Sequence, residues 1–137
     1  MVLDTNVLVS GFRSRRGTSH RLLTLLHSGR FVVCVSVPLV LEYEKALLDP
    51  RVKIPFSAEA IGKLIDYVCA AADKLRVHFL WRPRLRDAKD EMILELAVAG
   101  HCDFIVTFNV KDFKGVEQFA VRAVTPKQFL EILGEEE

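Results

Sequence analysis

The sequence predicts an α/β fold: a parallel sheet of about five strands, flanked by helices in three layers. Three observations carry that expectation. Short runs rich in valine and isoleucine alternate with amphipathic stretches along the chain. The connections between them are short, as they are between successive elements of a wound sheet. The runs at 31–37 (FVVCVSV) and 102–108 (CDFIVTF) are mostly apolar, the pattern of strands covered on both faces. With 137 residues, no internal repeat and no low-complexity linker, the expectation is a single domain over 1–137.

The elements follow in order. Val2 and Leu3 begin an apolar run that stops at Asp4, Thr5 and Asn6, so it reads as a buried strand delivering a carboxylate at its end. The next stretch, GFRSRRGTSH (11–20), reads as a polar, glycine-bounded connection. Thr18 or Ser19 is expected to cap a helix through Leu22, Leu23, Leu25 and Leu26 that ends at Gly29. The run 31–37 is the second strand, and Pro38 suits the first turn of the helix PLVLEYEKALL. Pro50 and Pro55 bracket a loop. Ser57 starts a long helix carrying Ile61, Leu64, Ile65, Val68 and Ala72 at three- and four-residue spacing. A third strand is expected at 74–80 near a sheet edge, then a basic loop, WRPRLRD. A helix over 88–100, a strand over 102–108, a loop over 109–115, a short strand over 120–124 and a helix over 126–133 complete the fold, with GEEE as a solvated tail.

Composition narrows the function. Half the residues are hydrophobic and 27% are charged, a globular balance. The formal net charge is +1, so any surface for nucleic acid must be local. Cys34, Cys69 and Cys102 are widely spaced in largely apolar contexts and form no CxxC, which favours buried free thiols in a reducing compartment. No apolar run approaches the roughly 18 residues of a membrane span. The expectation is a soluble cytoplasmic protein with no membrane role.

The acids define the candidate site, because ligands of open α/β sheets bind outside the carboxyl ends of the strands. Asp4 ends the first strand. Glu42 lies one turn into the helix after the second, where it either points back over the sheet edge or faces solvent with Lys45 as a helical partner; Glu44 has a weaker positional case. In RDAKDE (86–91), acids at a helix start also suit the helix dipole. Periodicity separates them: Asp90 shares a face with apolar Ile93, Leu94 and Ala97, Asp87 caps, and Glu91 shares a rim with Glu95, read as solvated. Asn109 follows a buried strand and Asp112 lies three residues on; either is also an ordinary turn residue. Several carboxylates crowded at one edge repel unless they take up protons or a cation. Oxygen ligands suit Mg²⁺ or Mn²⁺, which lower the pKa of bound water and neutralise phosphoryl charge.

On these residues the chain resembles the PIN-domain proteins, and looks most like the toxins of bacterial and archaeal toxin–antitoxin pairs. The marks are VLDTNVLVS, the acid at Glu42, RDAKDEMILELA, and DFIVTFNVKDF followed by TPKQFLEIL; they extend over almost the whole chain. The resemblance implies a PIN-like fold, an acidic site for Mg²⁺ or Mn²⁺, and cleavage of single-stranded RNA. Asp4, Glu42 and Asp90 match the family's first three acids, with Glu91 as a register alternative to Asp90. Thr5, Asn6 and Thr107 match supporting polar groups. At the fourth acid this chain has Asn109, which brings an oxygen but no charge; Asp112 is the candidate to compensate as a ligand.

Phosphate contacts are expected from Arg13, Arg15 and Arg16, from Arg82, Arg84 and Arg86, and from Lys111 and Lys114. The resemblance suggests that a cognate antitoxin peptide uses the same arginines. A homodimer is the expected oligomer; the apolar surface of the helices near 18–29 and 57–73 could support it, and core packing explains the same residues. The leading expectation is a metal-dependent ribonuclease toxin. The alternative is a degenerate module that binds RNA or a partner without cutting. A phosphatase with a nucleophilic Asp4 is disfavoured, since such enzymes want a second acid where Asn6 stands.

Overall fold

The computed structural model describes residues 1–77 and 87–134. Strands β1 (Val2–Leu3), β2 (Val33–Val35), β3 (Ala72–Lys74), β4 (Phe104–Val106) and β5 (Arg122–Val124) alternate with helices. The helices are α1 (Thr5–Arg13), α2 (Thr18–Thr24), α3 (Val37–Leu48), α4 (Ala58–Ala71), α5 (Ala88–Ala99) and α6 (Pro126–Leu133).

Every strand pairing is parallel: β4 lies between β1 and β5, and β2 pairs with β3. The two ladders meet along β1, where the Cys34 N–H donates to the Met1 carbonyl at 2.9 Å and the Met1 nitrogen donates to the Val32 carbonyl. The strands therefore run in the order 3-2-1-4-5. The chain winds from β1 out to β3, then restarts on the other side of β1 with β4. That reversal, between β1 and β4, is where an open α/β sheet forms its binding crevice. Val2, Leu3, Ile105 and Val106 are fully buried at this junction.

The α/β class and the parallel sheet are as expected, but the strands are shorter than their apolar runs. The ends of those runs belong to helix caps. Ser36 accepts from the Leu39 N–H at 3.3 Å, so Ser36 and Val37 start α3 rather than extend β2. Cys102 donates its N–H to Ala97 at 2.8 Å and so finishes the last turn of α5.

The largest correction follows Asp4. Residues 5–13 form a helix, not the continuation of a strand and a polar connection. Val7, Leu8 and Gly11 are buried at helical spacing, and that burial outweighs the strand preference of the valines. Gly11 is needed for the approach of α2, since a Cβ there would lie 2.3 Å from Leu23 Cδ1. The cap of α2 is Gly17, at φ 98°, rather than Thr18 or Ser19, and the helix ends at Thr24, short of Gly29. Tighter turns follow, with Ser28 N–H bonded to the Leu25 carbonyl at 3.0 Å.

The third strand begins at Ala72, two residues before the expected start, and among the described residues it pairs with β2 alone, as an edge. The remainder of that expected strand (78–80), Arg82, Arg84, Arg86 and the acidic tail (135–137) lie outside the described residues. The expected loop over 109–115 contains a 3-10 turn at Val110–Phe113 that buries Phe113. Helices α3, α4, α5 and α6 agree with expectation; Ser57 caps α4, and Thr125 with Gln128 forms a reciprocal capping box on α6. All three cysteines are free; Cys34 and Cys102 are buried, and Cys69 is half-buried. No helix among the described residues is long and apolar enough to cross a membrane.

Candidate active site

Asp4 stands at the end of β1, directly before α1, and is only 8% exposed. Its N–H donates to the Val106 carbonyl at 2.9 Å, continuing the β1–β4 pairing. Its Oδ2 accepts a 2.7 Å hydrogen bond from Thr107 Oγ1 at the end of β4. Thr107 is itself fully buried, and its N–H donates to the Val124 carbonyl of β5 at 2.9 Å. Three adjacent strands thus fix the two residues at the winding reversal. Burial pushes the Asp4 carboxyl above its ordinary range; the Thr107 hydroxyl and the Thr5 amide oppose that, and the charges of Asp112 and Asp87 add to it.

Asp90 joins from the first turn of α5. Its pKa is raised to about 6, first by burial and then by the charges of Asp4, Asp87 and Asp112. The structure therefore brings Asp4, Asp90 and Asp112 into one negative field. Asp87 belongs to it as well, although the sequence offered it only as a cap. It does cap α5, accepting from the Lys89 N–H at 2.8 Å. The missed signal was its position, three residues before Asp90 at the end of α5 that faces Asp4.

Glu42 is half-buried and its partner is not Lys45. Oε1 lies 3.1 Å from Lys89 Nζ, on the residue before Asp90. This cross-helix pair was not legible, because it depends on how α3 and α5 meet. Glu44 is exposed. The reading of Glu91 and Glu95 as a solvated rim is overturned: they are 8% and 7% exposed. Helix α5 is central, with Ile93, Leu94, Leu96 and Ala97 buried as well, so this face does not reach water. Burial, then the Glu91 charge, pushes the Glu95 carboxyl up. The Asp4 charge contributes to the raised Asp90 carboxyl.

Asn6 Oδ1 accepts from the Phe108 N–H at 3.4 Å, and the Asn109 N–H donates to Thr107 Oγ1 at 3.0 Å. Asn109 thus contributes through its backbone, while its side chain is exposed. Tyr43 also went unremarked in the sequence: fully buried, it donates its hydroxyl to the Leu3 carbonyl at 2.6 Å, tying α3 to the strand that carries Asp4. Arg13, the last residue of α1, and Arg15 and Arg16 just past it are exposed. From Asp4 to Arg13 the helix rises roughly 13 Å along its axis, which sets the three arginines at the other end of α1 from the acid. Lys111 and Lys114 are the exposed cations flanking Asp112 in sequence.

The donors at this edge are oxygens with a surplus of negative charge, a set that suits a hard divalent cation. Burial first, and then the charges of neighbouring acids, raises the Asp4 and Asp90 carboxyls, and a cation would relieve the second of these. As their side chains stand, no three His, Cys, Asp or Glu groups among the described residues are close enough together to hold an ion.

The fold is a doubly wound α/β domain with a buried acid at its winding reversal. A PIN-domain family model matches residues 1–111, and the chain belongs to the PIN-domain family. PIN domains are in general nucleases that bind divalent metal ions. The match includes Asp4, Glu42, Asp90 and Asn109 and stops one residue before Asp112. No curated protein matches the chain.

Proposed function

We propose that this chain is an endoribonuclease that hydrolyses single-stranded RNA with Mg²⁺ or Mn²⁺, and that it acts as the toxin of a type II toxin–antitoxin pair. One observation supports the catalytic part best: Asp4, almost fully buried, is held by Thr107 at the winding reversal and shares its field with Asp90. Asp4 and Asp90, with Glu42 or Asp112, would hold the ion. Bound there, it would supply an activated water and neutralise phosphoryl charge. The Thr107 hydrogen bond orients the Asp4 carboxyl and favours its ionised form against the effect of burial. An ion bound there would favour the ionised form of Asp90, whose pKa burial and the neighbouring acids raise to about 6. Lys111 and Lys114 would contact RNA phosphates beside Asp112, with Arg13, Arg15 and Arg16 engaging a more distant part of the strand.

The test is cleavage of a mixed-sequence single-stranded RNA by purified protein in Mg²⁺, Mn²⁺ or EDTA, beside Asp4→Asn. Metal-dependent cutting lost in the variant is expected. Equal, EDTA-sensitive cutting by Asp4→Asn would sink the assignment.

A second reading, a module that binds RNA or a partner without cutting, is favoured by the Glu42–Lys89 pair and by the uncharged, exposed Asn109. It predicts RNA retention without cleavage, and a smaller salt dependence once Arg15 and Arg16 are replaced. An antitoxin and a second copy of the chain are the proposed protein partners. Exposed Val37, Leu41 and Leu48, on one face of α3, offer an apolar contact. Co-purification with the product of the adjacent reading frame, and light scattering of the free chain, test them separately.

A further inference from the structure

Cys34 lies in β2 and Cys102 in the turn from α5 into β4, 68 residues apart in sequence. Their Sγ atoms are 3.4 Å apart, and the residues are 4% and 8% exposed. They meet across the amino end of β1, at the opposite end of the sheet from Asp4 and Thr107. A lone thiol in a core packs against hydrocarbon as a small apolar group. Here each sulfur packs against the other, and the backbone makes room for both. A Cβ on Gly100 would lie 3.0 Å from Cys34 Sγ and 3.2 Å from Cys102 Sγ. A cavity of about 450 Å³ borders both cysteines; its wall is largely apolar, with Phe31, Phe104 and Phe129, and carries Asp73, His101 and Asp103 as polar groups.

We propose that Cys34 and Cys102 form a modification site, a dithiol that a low-molecular-weight disulfide such as oxidised glutathione converts into an intramolecular disulfide. Cys102 is the attacking sulfur. The hydrogen bond between the two sulfurs holds the Cys102 pKa down to about 6, while that bond and burial push Cys34 up. The Cys102 thiolate attacks one sulfur of oxidised glutathione and expels a glutathione thiolate, leaving a mixed disulfide on Cys102. Cys34 then loses its proton, attacks the Cys102 sulfur and expels the second glutathione. Two electrons pass from the protein to glutathione, and the protons given up by the protein thiols end on two glutathione thiols. The sulfurs must approach by about 1.4 Å to reach bonding distance. The bond would staple β2 to the start of β4 beneath β1, the three strands that lead to Glu42, Asp4 and Thr107. Nothing in this step depends on the ribonuclease reading.

The full chain is equilibrated with oxidised glutathione, acid-quenched, alkylated and mapped by mass spectrometry. The expected product has lost two hydrogens, links the Cys34 and Cys102 peptides, and leaves Cys69 free to alkylate. Cys34→Ser is expected to stop at a glutathione adduct on Cys102, since the resolving thiol is gone. Gly100→Ala, which crowds both sulfurs, is expected to slow closure severalfold. Closing so long a loop should raise Tm by on the order of 10 °C. Free Cys34 and Cys102 in the oxidised wild-type sample, a retained glutathione, or a link through Cys69 would each overturn the proposal.

Discussion

Thr107 Oγ1 donates a 2.7 Å hydrogen bond to Asp4 Oδ2, joining two side chains 103 positions apart at the ends of neighbouring strands. The bond favours the ionised carboxylate and lowers a pKa that burial raises. Thr107→Val keeps the shape and removes the donor. It is expected to destabilise the fold by about 1–3 kcal/mol at neutral pH. That loss should shrink as pH falls and Asp4 takes up its proton. Urea unfolding at pH 7.5 and at pH 4 checks this; a pH-independent loss would show that the hydroxyl serves the protonated carboxyl equally well.

Asp90 gives the opposite dependence to an ordinary salt-bridged acid. Its pKa is about 6 in the fold against an ordinary value of 3.8, so between these values the folded state binds more protons than the unfolded one. Stability from this group is therefore full below about pH 4, falls as pH rises toward 6, and is flat above. Asp90→Asn should raise Tm at pH 7.5 and leave it nearly unchanged at pH 4. Equal shifts at both pH values would place the effect outside this titration.

Lys89 holds Glu42 at 3.1 Å but is itself 66% exposed, so the pair contributes under about 1 kcal/mol to stability. Its larger effect is on charge. Lys89→Met releases Glu42 beside the Asp4–Asp90 field and should strengthen Mn²⁺ binding severalfold in calorimetry, with little change in Tm. Unchanged affinity would mean that Glu42 takes no part in holding the ion.

Gly11→Ala tests the α1–α2 contact that positions the chain after Asp4. The added Cβ would press on Leu23 and come within 3.1 Å of the Ser19 carbonyl. Overpacking of this kind costs about 1–3 kcal/mol, more than the better helix propensity of alanine returns. Thermal unfolding should show a lower Tm; a rise would mean that Leu23 swings aside freely.

Local chemistry explains what was readable in advance. Ser57, Thr125 with Gln128, Pro38 and Asp87 mark helix starts within three residues of themselves, and those starts lie where the sequence put them. The misreadings share one cause. Val7 and Leu8 suit a strand or a helix equally until something packs on them, and burial against α2 and α3 makes them helical. Glu91 and Glu95 follow the spacing of a solvent face, yet α5 runs through the middle of the molecule, where that face is covered.

The sequence by itself determined the alternation of strands and helices, the parallel sheet, and Asp4 as an acid delivered at a strand end. Each of these follows from residues near one another in the chain, through side-chain period, capping and the short reach of connections. Tertiary structure decided the rest: Thr107 on Asp4, Lys89 on Glu42, Asp87 and Asp112 acting on Asp90, and Cys34 against Cys102. Hydrogen bonds and Coulomb interactions act over a few ångströms of space. Their partners are set by the strand order 3-2-1-4-5, which brings residues from distant parts of the chain together.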